Sequence, residues 1–178
     1  MVSGEVQDLP FRDESFECVS AVTVIQHIPP QEQVRALSEM VRALRPGGYL
    51  FLIELIRGHG SHVFSRLPHD WIGQVSTLGV SLVSWRGHEY FLFDRCFVYS
   101  VQKLRALAGY PASEDSSPHS GPAGGEHELP DLARRVYWTL RRIAVTLSVW
   151  AEPLFEKVCP SSLATHAVFL FRKQQTLD

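Results

Sequence analysis

The feature that most constrains this chain is an apolar run, an amphipathic stretch and a second apolar run, divided by prolines and glycines. Phe16 to Ile25 is nearly continuous in apolar and small residues, the composition of a strand buried on both faces of a parallel sheet, and Pro29-Pro30 stops it. From Gln31 to Arg45, Val34, Leu37, Val41 and Leu44 recur at helical spacing, with Glu32, Arg35, Glu39 and Arg42 largely on the other side. Pro46-Gly47-Gly48 ends that helix, since proline cannot continue it and glycine supplies the positive φ of a helix terminus. Tyr49 to Ile53 then reads as a second apolar strand. Strand, helix, strand is a βαβ unit, whose strands run parallel and whose ligands sit beyond their carboxyl ends. The regions in which to look for function are therefore Val22 to His27 and Glu54 to His62.

The remainder is less regular. Residues 57–99 are rich in aromatics, including Phe64, Trp71, Trp85, Tyr90, Phe91 and Phe97, and read as a pocket cover or substrate-side insertion, although core packing explains much of that composition equally well. Ser100 to Ala108, with Val101, Leu104 and Leu107, predicts a short helix closed by Gly109. Residues 111–128 are dense in Ser, Pro, Gly and charge, the composition of a flexible loop. Residues 131–158 place Leu132, Val136, Leu140, Ile143, Leu147, Trp150 and Leu154 at helical spacing. This predicts a long helix that packs through that stripe and is kinked or ended by Pro153. The run from His166 to Phe171, aromatic and β-branched, predicts a last strand within residues 165–173.

A chain of 178 residues suits one domain, and its net charge of -2 gives no global electrostatic reason to expect a nucleic acid or an anionic membrane as partner. Cys18, Cys96 and Cys159 are too widely separated for a disulfide framework or a paired metal site, so buried or free thiols in a reducing compartment, the cytoplasm, are expected. The longest apolar run, Ile143 to Ala151, is far short of the roughly 20 residues that span a bilayer. The Arg134-Arg135 and Arg141-Arg142 pairs beside Tyr137, Trp138 and Trp150 suit either an anionic surface or an ordinary basic face over an apolar one. His59, His62 and His69 fit no compact ligand set, and no metal is expected.

Three pieces occur in order: Gly4-Glu5-Val6-Gln7-Asp8-Leu9-Pro10-Phe11, then Asp13-Glu14-Ser15-Phe16-Glu17, then His27-Ile28-Pro29 followed by Leu44-Arg45-Pro46-Gly47-Gly48. Together with the strand-helix-strand they resemble the type 11 domain of class I S-adenosylmethionine-dependent methyltransferases. Leu104 to Tyr110 and His166 to Lys173 are similar to that family's helix before its sixth strand and to its closing strand. The resemblance implies an α/β fold, the C-terminal part of a Rossmann-like class I methyltransferase sheet with helices on both faces and a helical, aromatic insertion. Residues 1–178 then form one partial domain, of which 1–56 resembles the family's third to fifth strands.

The resemblance also implies S-adenosylmethionine as cofactor and a small-molecule methyl acceptor reacting through O, N or C. Glu5 and Val6 match the family's adenine-binding pair, and Val22 and Thr23 match the strand end whose backbone approaches the methionine moiety. His27 and Glu54, beside the cleft by topology, are candidates for a base and for orienting substrate; a structural hydrogen bond and a solvated strand-end carboxylate are the alternatives. The family's glycine-rich loop and acidic second-strand end have no counterpart here: Gly58-His59-Gly60 and the cluster from Gly121 to Gly125 lack the strand-loop-helix context. In the family's order (third, second, first, fourth, fifth, seventh, sixth), the third-strand remnant Met1 to Val6 would lie about 14 Å from strand four. Strand four would be an apolar edge needing cover from a partner chain or segment. The expectation is a fragment inactive on its own, or else a non-catalytic remnant serving as an interaction or structural module.

Overall fold

The computed structural model describes residues 3–58, 62–107 and 131–175. Its elements are β1 (Phe16–Val22), α1 (Pro30–Ala43), β2 (Leu44–Leu55), α2 (Pro68–Ser76), β3 (Val80–His88), α3 (Leu92–Leu107), α4 (Asp131–Val158) and β4 (His166–Lys173). The strands form one sheet in the order β1-β2-β4-β3. β1 and β2 are parallel, with Val22 opposite Ile53; β4 runs antiparallel to β2, with Leu55 opposite His166, and to β3, with His88 opposite His166. Read as the family's fourth, fifth, seventh and sixth strands, this is the order the resemblance implies.

The chain leaves α1 at Leu44, which is already extended at φ -76° and ψ 140°. Pro46-Gly47-Gly48 therefore lies within β2, past the helix it was expected to close, and makes the irregularity between the Phe16–Leu44 and Cys18–Tyr49 pairs. Gly47 takes φ 78° there. At Gly48 a Cβ would stand 3.0 Å from the Glu17 carbonyl, so only glycine lets β1 approach this closely.

One face of the sheet, formed by Leu50, Leu52, Phe169 and Phe171, is fully buried beneath α1 and α2. α1 contributes Ala36, Leu37, Met40 and Val41, with Gln33 on the same side, whereas Val34 of the expected stripe is exposed. Side chains of the opposite sheet face, such as Phe51, Ile53, Val168 and Leu170, are half-buried. β1 pairs only with β2 among the described residues and forms a sheet edge that leaves Phe16 and Val22 exposed.

Several expectations change. β3 runs through the aromatic stretch 57–99 as a strand of the main sheet, so only part of that stretch lies outside it. α3 starts at Leu92, well before Ser100. The loop at 111–128 and the glycines at 121–125 lie outside the described residues. α4 has the expected bounds, Asp131–Val158, and of the two effects expected of Pro153, ending the helix does not occur.

α4 is also turned around: Leu132, Val136, Leu140, Ile143, Leu147, Trp150 and Leu154 are exposed, while Arg141, Ala144, Ser148 and Ala151 are buried. Polar anchors select this face. Arg141 Nε donates to Asp94 Oδ1 at 3.2 Å, Ser148 Oγ accepts from the Asp94 N–H at 3.1 Å, and Glu152 Oε1 accepts from the Tyr90 N–H at 2.8 Å. The small Ala144, Ser148 and Ala151 suit close approach of α3. Phe169→Ala is expected to cost about 3–5 kcal/mol in urea unfolding. Trp150→Ala, at 82% exposure, is expected to cost less than about 0.5 kcal/mol; a loss comparable to that of Phe169→Ala would place the Leu132 to Leu154 stripe in the core.

Candidate functional site: the carboxyl ends of β1 and β2

Beyond Val22 the chain turns sharply. Thr23 has φ 54°, a left-handed conformation costly for a β-branched residue, and it is held there by its N–H donating to Ile53 O at 2.7 Å. A single turn of 3-10 helix at Ile25–His27 follows. The first backbone N–H groups of such a turn lack partners within it, and Glu54 supplies them. Its two carboxylate oxygens accept from the Ile25 N–H at 3.0 Å and the Gln26 N–H at 2.9 Å, and the residue is fully buried.

Two glutamines complete the network. Gln26 Oε1 accepts from the Leu55 N–H at 2.7 Å, while Gln33 Nε2 donates to Ile25 O at 3.1 Å and Ile28 O at 3.0 Å. Arg66 Nε in turn donates to Gln33 Oε1 at 2.7 Å. Burial pushes the Glu54 carboxyl above its ordinary value, a shift opposed by the hydrogen bonds from Gln26, Ile25 and Val24 and by the nearby His166.

The Gln26 contact to Leu55 fixes its amide orientation, so Gln26 Nε2 faces His27 Nε2 at 3.3 Å as a donor. His27 Nδ1 lies 3.1 Å from the His62 carbonyl, which can only accept. In a neutral ring, these contacts place the proton on Nδ1. His27 is otherwise exposed, beside the loop.

Val22, Thr23, His27 and Glu54 are thus gathered around one turn. Glu5 and Val6 are tied elsewhere. Glu5 is exposed, bridged only to Asp8 among the strand-like pairings, and the segment after it lies on α1. There Gln7 Nε2 donates to Glu32 at 2.8 Å, the Leu9 N–H to Glu39 at 3.0 Å, and Arg42 to Leu9 O at 3.0 Å and Phe11 O at 2.8 Å. Arg42, through its hydrogen bond, holds the Glu39 carboxyl below its ordinary range. For S-adenosylmethionine, the residues present offer an open backbone at Val22–Thr23 and a solvent-facing carboxylate at Glu5, and they do not enclose such a ligand.

A cavity of about 1130 Å³ opens just past β2, lined by Ile56, Arg57 and Gly58 at the strand end, Phe64 to Leu67 in the following loop, and Leu92, Arg95 and Tyr99 of α3. Arg57 and Arg95 were not singled out by sequence, since no spacing rule joins a strand end to a helix so far along the chain. Of the three histidines weighed as ligands, His62 engages His27 through its carbonyl, His69 lies 3.3 Å from Asp70, and His59 is outside the described residues. A different cluster, His88, Glu152 and Glu156, has its ligand-type atoms within 4.8 Å of one another. Two of its contacts are internal bracing: His88 Nδ1 to Glu156 at 3.0 Å, and the Tyr90 N–H to Glu152. No helix among the described residues is long and apolar enough to cross a membrane.

Comparison with known proteins agrees with this topology. Residues 1–52 match the sequence profile of a methyltransferase domain family. The chain is 24% identical over 182 aligned residues to the biotin biosynthesis bifunctional protein BioHC of Teredinibacter turnerae, covering 94% of this chain and 29% of that protein. It is 36% identical over 75 residues to the ubiquinone/menaquinone biosynthesis C-methyltransferase UbiE of Hahella chejuensis, covering 38% of this chain and 29% of that protein. Among solved structures, the 1,6-didemethyltoxoflavin-N1-methyltransferase of Burkholderia thailandensis superposes with a TM-score of 0.50 at 11% identity, covering 98% of this chain and 50% of the other. Residues 1–52 thus match a methyltransferase domain, and the described elements as a whole share the α/β fold of the Burkholderia protein. The chain spans less than a third of the length of these two curated relatives.

Glu54→Gln replaces one acceptor with an NH₂ group facing a backbone N–H, and is expected to lower stability by about 1–3 kcal/mol. Because the folded-state pKa is raised, the wild type loses stability as pH rises from 4.5 through the folded value, whereas the amide does not titrate. The gap between the two proteins in urea unfolding should therefore narrow across that window; a widening gap would mean the folded pKa is lowered.

Proposed function

We propose that this chain forms the acceptor side of an S-adenosylmethionine-dependent methyltransferase that acts on an O, N or C nucleophile of a small molecule. The observation that carries this reading is the cavity at Ile56–Gly58: it lies past the carboxyl end of β2, where open α/β sheets bind ligands, beside a strand-helix-strand of methyltransferase type. The cofactor supplies an electrophilic methyl group on a sulfonium. The protein's part is then to position the nucleophile, exclude water and, where the nucleophile carries a proton, accept it.

Glu54 acts in this reading as a positioning residue, since both of its oxygens are engaged by the loop that carries His27. His27 is the candidate base and the Val22–Thr23 backbone the candidate cofactor contact; the Glu5-Val6 pair, tied away from that turn, is a candidate contact only once the segment that carries it shifts toward the turn. The net charge of -2 favours a small acceptor over nucleic acid, and the separated cysteines favour a cytoplasmic setting. We further propose that these 178 residues alone do not turn over, because nothing in them corresponds to the glycine-rich loop and the acidic strand end. A second reading, a non-catalytic module whose β1 edge is covered by a partner chain, is favoured by the exposed Phe16 and Val22 on that edge.

Calorimetric titration with S-adenosylhomocysteine is expected to give a dissociation constant weaker than about 1 mM for the chain itself. It should be at least about ten-fold tighter for a cooperatively melting chimera in which a glycine-rich cofactor-binding half of class I type precedes Met1. Sub-millimolar binding by the chain alone would overturn the proposed inactivity. No gain in the chimera would favour the partner-covered module.

A further inference from the structure

The cavity past β2 carries a charge pattern that the fold leaves uncompensated. Arg57, just beyond β2, and Arg95, in the first turn of α3, each donate one N–H to neighbouring carbonyls of the same short turn: Arg57 Nη2 to Ser162 O at 2.6 Å and Arg95 Nη1 to Leu163 O at 2.6 Å. Both arginines therefore line the cavity beside the same turn, and neither is ion-paired with a carboxylate among the described residues. Burial of Arg95, and secondarily the charge of Arg57, lowers the Arg95 pKa from its ordinary value. Asp70 also lines the cavity but lies beside His69 at 3.3 Å. Each guanidinium keeps N–H donors beyond the one it spends on the turn, in the planar fork that matches a carboxylate or phosphate. Leu67, Leu92 and Val98 give the same cavity an apolar wall.

We propose that Arg57 and Arg95 bind the anionic head, carboxylate or phosphate, of an amphiphilic small molecule whose alkyl part lies along Leu67, Leu92 and Val98. That this molecule is the methyl acceptor rests on the methyltransferase reading; the anion site itself does not. The head is held by charge-assisted hydrogen bonds to the exposed Arg57 and the half-buried Arg95, and the apolar side contributes by area alone.

Calorimetry of the 178-residue chain with octanoate, octyl phosphate and octan-1-ol, each below its aggregation limit, tests the site without the methyl donor. At least one anion is expected to bind about ten-fold or more tightly than the alcohol. Octanoate alone would identify a carboxylate head and octyl phosphate alone a phosphate head. Arg57→Gln and Arg95→Gln should each cut anion affinity about ten-fold and leave the alcohol unchanged. Arg95 also ties α3 to Leu163, so Arg57→Gln, altering an exposed side chain, is decisive if Arg95→Gln lowers the melting temperature. Equal affinity for alcohol and anions, absence of anion binding, or anion affinity unchanged in a folded Arg57→Gln protein would overturn the proposal. Anion discrimination without cofactor binding in the chimera would leave the site standing and remove only the methyl-transfer reading.

Discussion

The arrangement at the functional end of the sheet depends on one buried carboxylate. Glu54, the penultimate residue of β2, is buried and accepts from the N–H groups of Ile25 and Gln26, which begin a turn too short to satisfy them internally. Leaving those donors unpaired would cost more than a typical hydrogen bond gains, so the carboxylate is a condition for the turn to exist in this place. Its desolvation, seen in the raised pKa, is the cost of that arrangement and is offset by three backbone donors. Gln26 then locks the amide of Leu55, and Gln33 ties the turn to α1. The strained Thr23, the His27 ring and the mouth of the cavity inherit their positions from this network.

The network also separates two kinds of residue that topology alone would group. Glu54 stands at a strand end that faces a cleft, yet it is fully buried and both of its oxygens face backbone N–H groups. Arg57 and Arg95, in contrast, are held by neutral carbonyls and keep their charge directed at an open cavity. The same contrast governs α4, where Asp94–Arg141 and Glu152–Tyr90 outweigh a longer apolar stripe in deciding which face turns inward.

Much of the fold was legible in the sequence where burial imposed a period. Phe16–Val22, α1 and β2 follow from their apolar patterns, and His166–Lys173 from its β-branched and aromatic run. β3 is hidden because its apolar-polar alternation breaks at the consecutive Leu82-Val83 pair; it is an edge strand specified largely by its register on β4, which shifts between Leu82 and Ser84. The inward face of α4 is not legible in the sequence because two stripes share helical spacing and only partners distant in sequence distinguish them. Within the site, Val22, Thr23, His27 and Glu54 were placed by strand ends, whereas Gln26, Gln33, Arg57 and Arg95 needed three dimensions: a buried glutamine on an apolar helix face and two arginines on separate elements carry no local signal.

Hydrogen exchange of individual amides in the purified chain tests the dependence on Glu54 most directly. The Ile25, Gln26 and Leu55 amides are expected to exchange as slowly as those at the centre of β2, and all three should accelerate together in Glu54→Gln while Leu50 and Leu52 keep their protection relative to global unfolding. Exchange of Ile25 and Gln26 at the rate of an open loop in the wild-type protein would contradict the claim that this carboxylate holds the site in place.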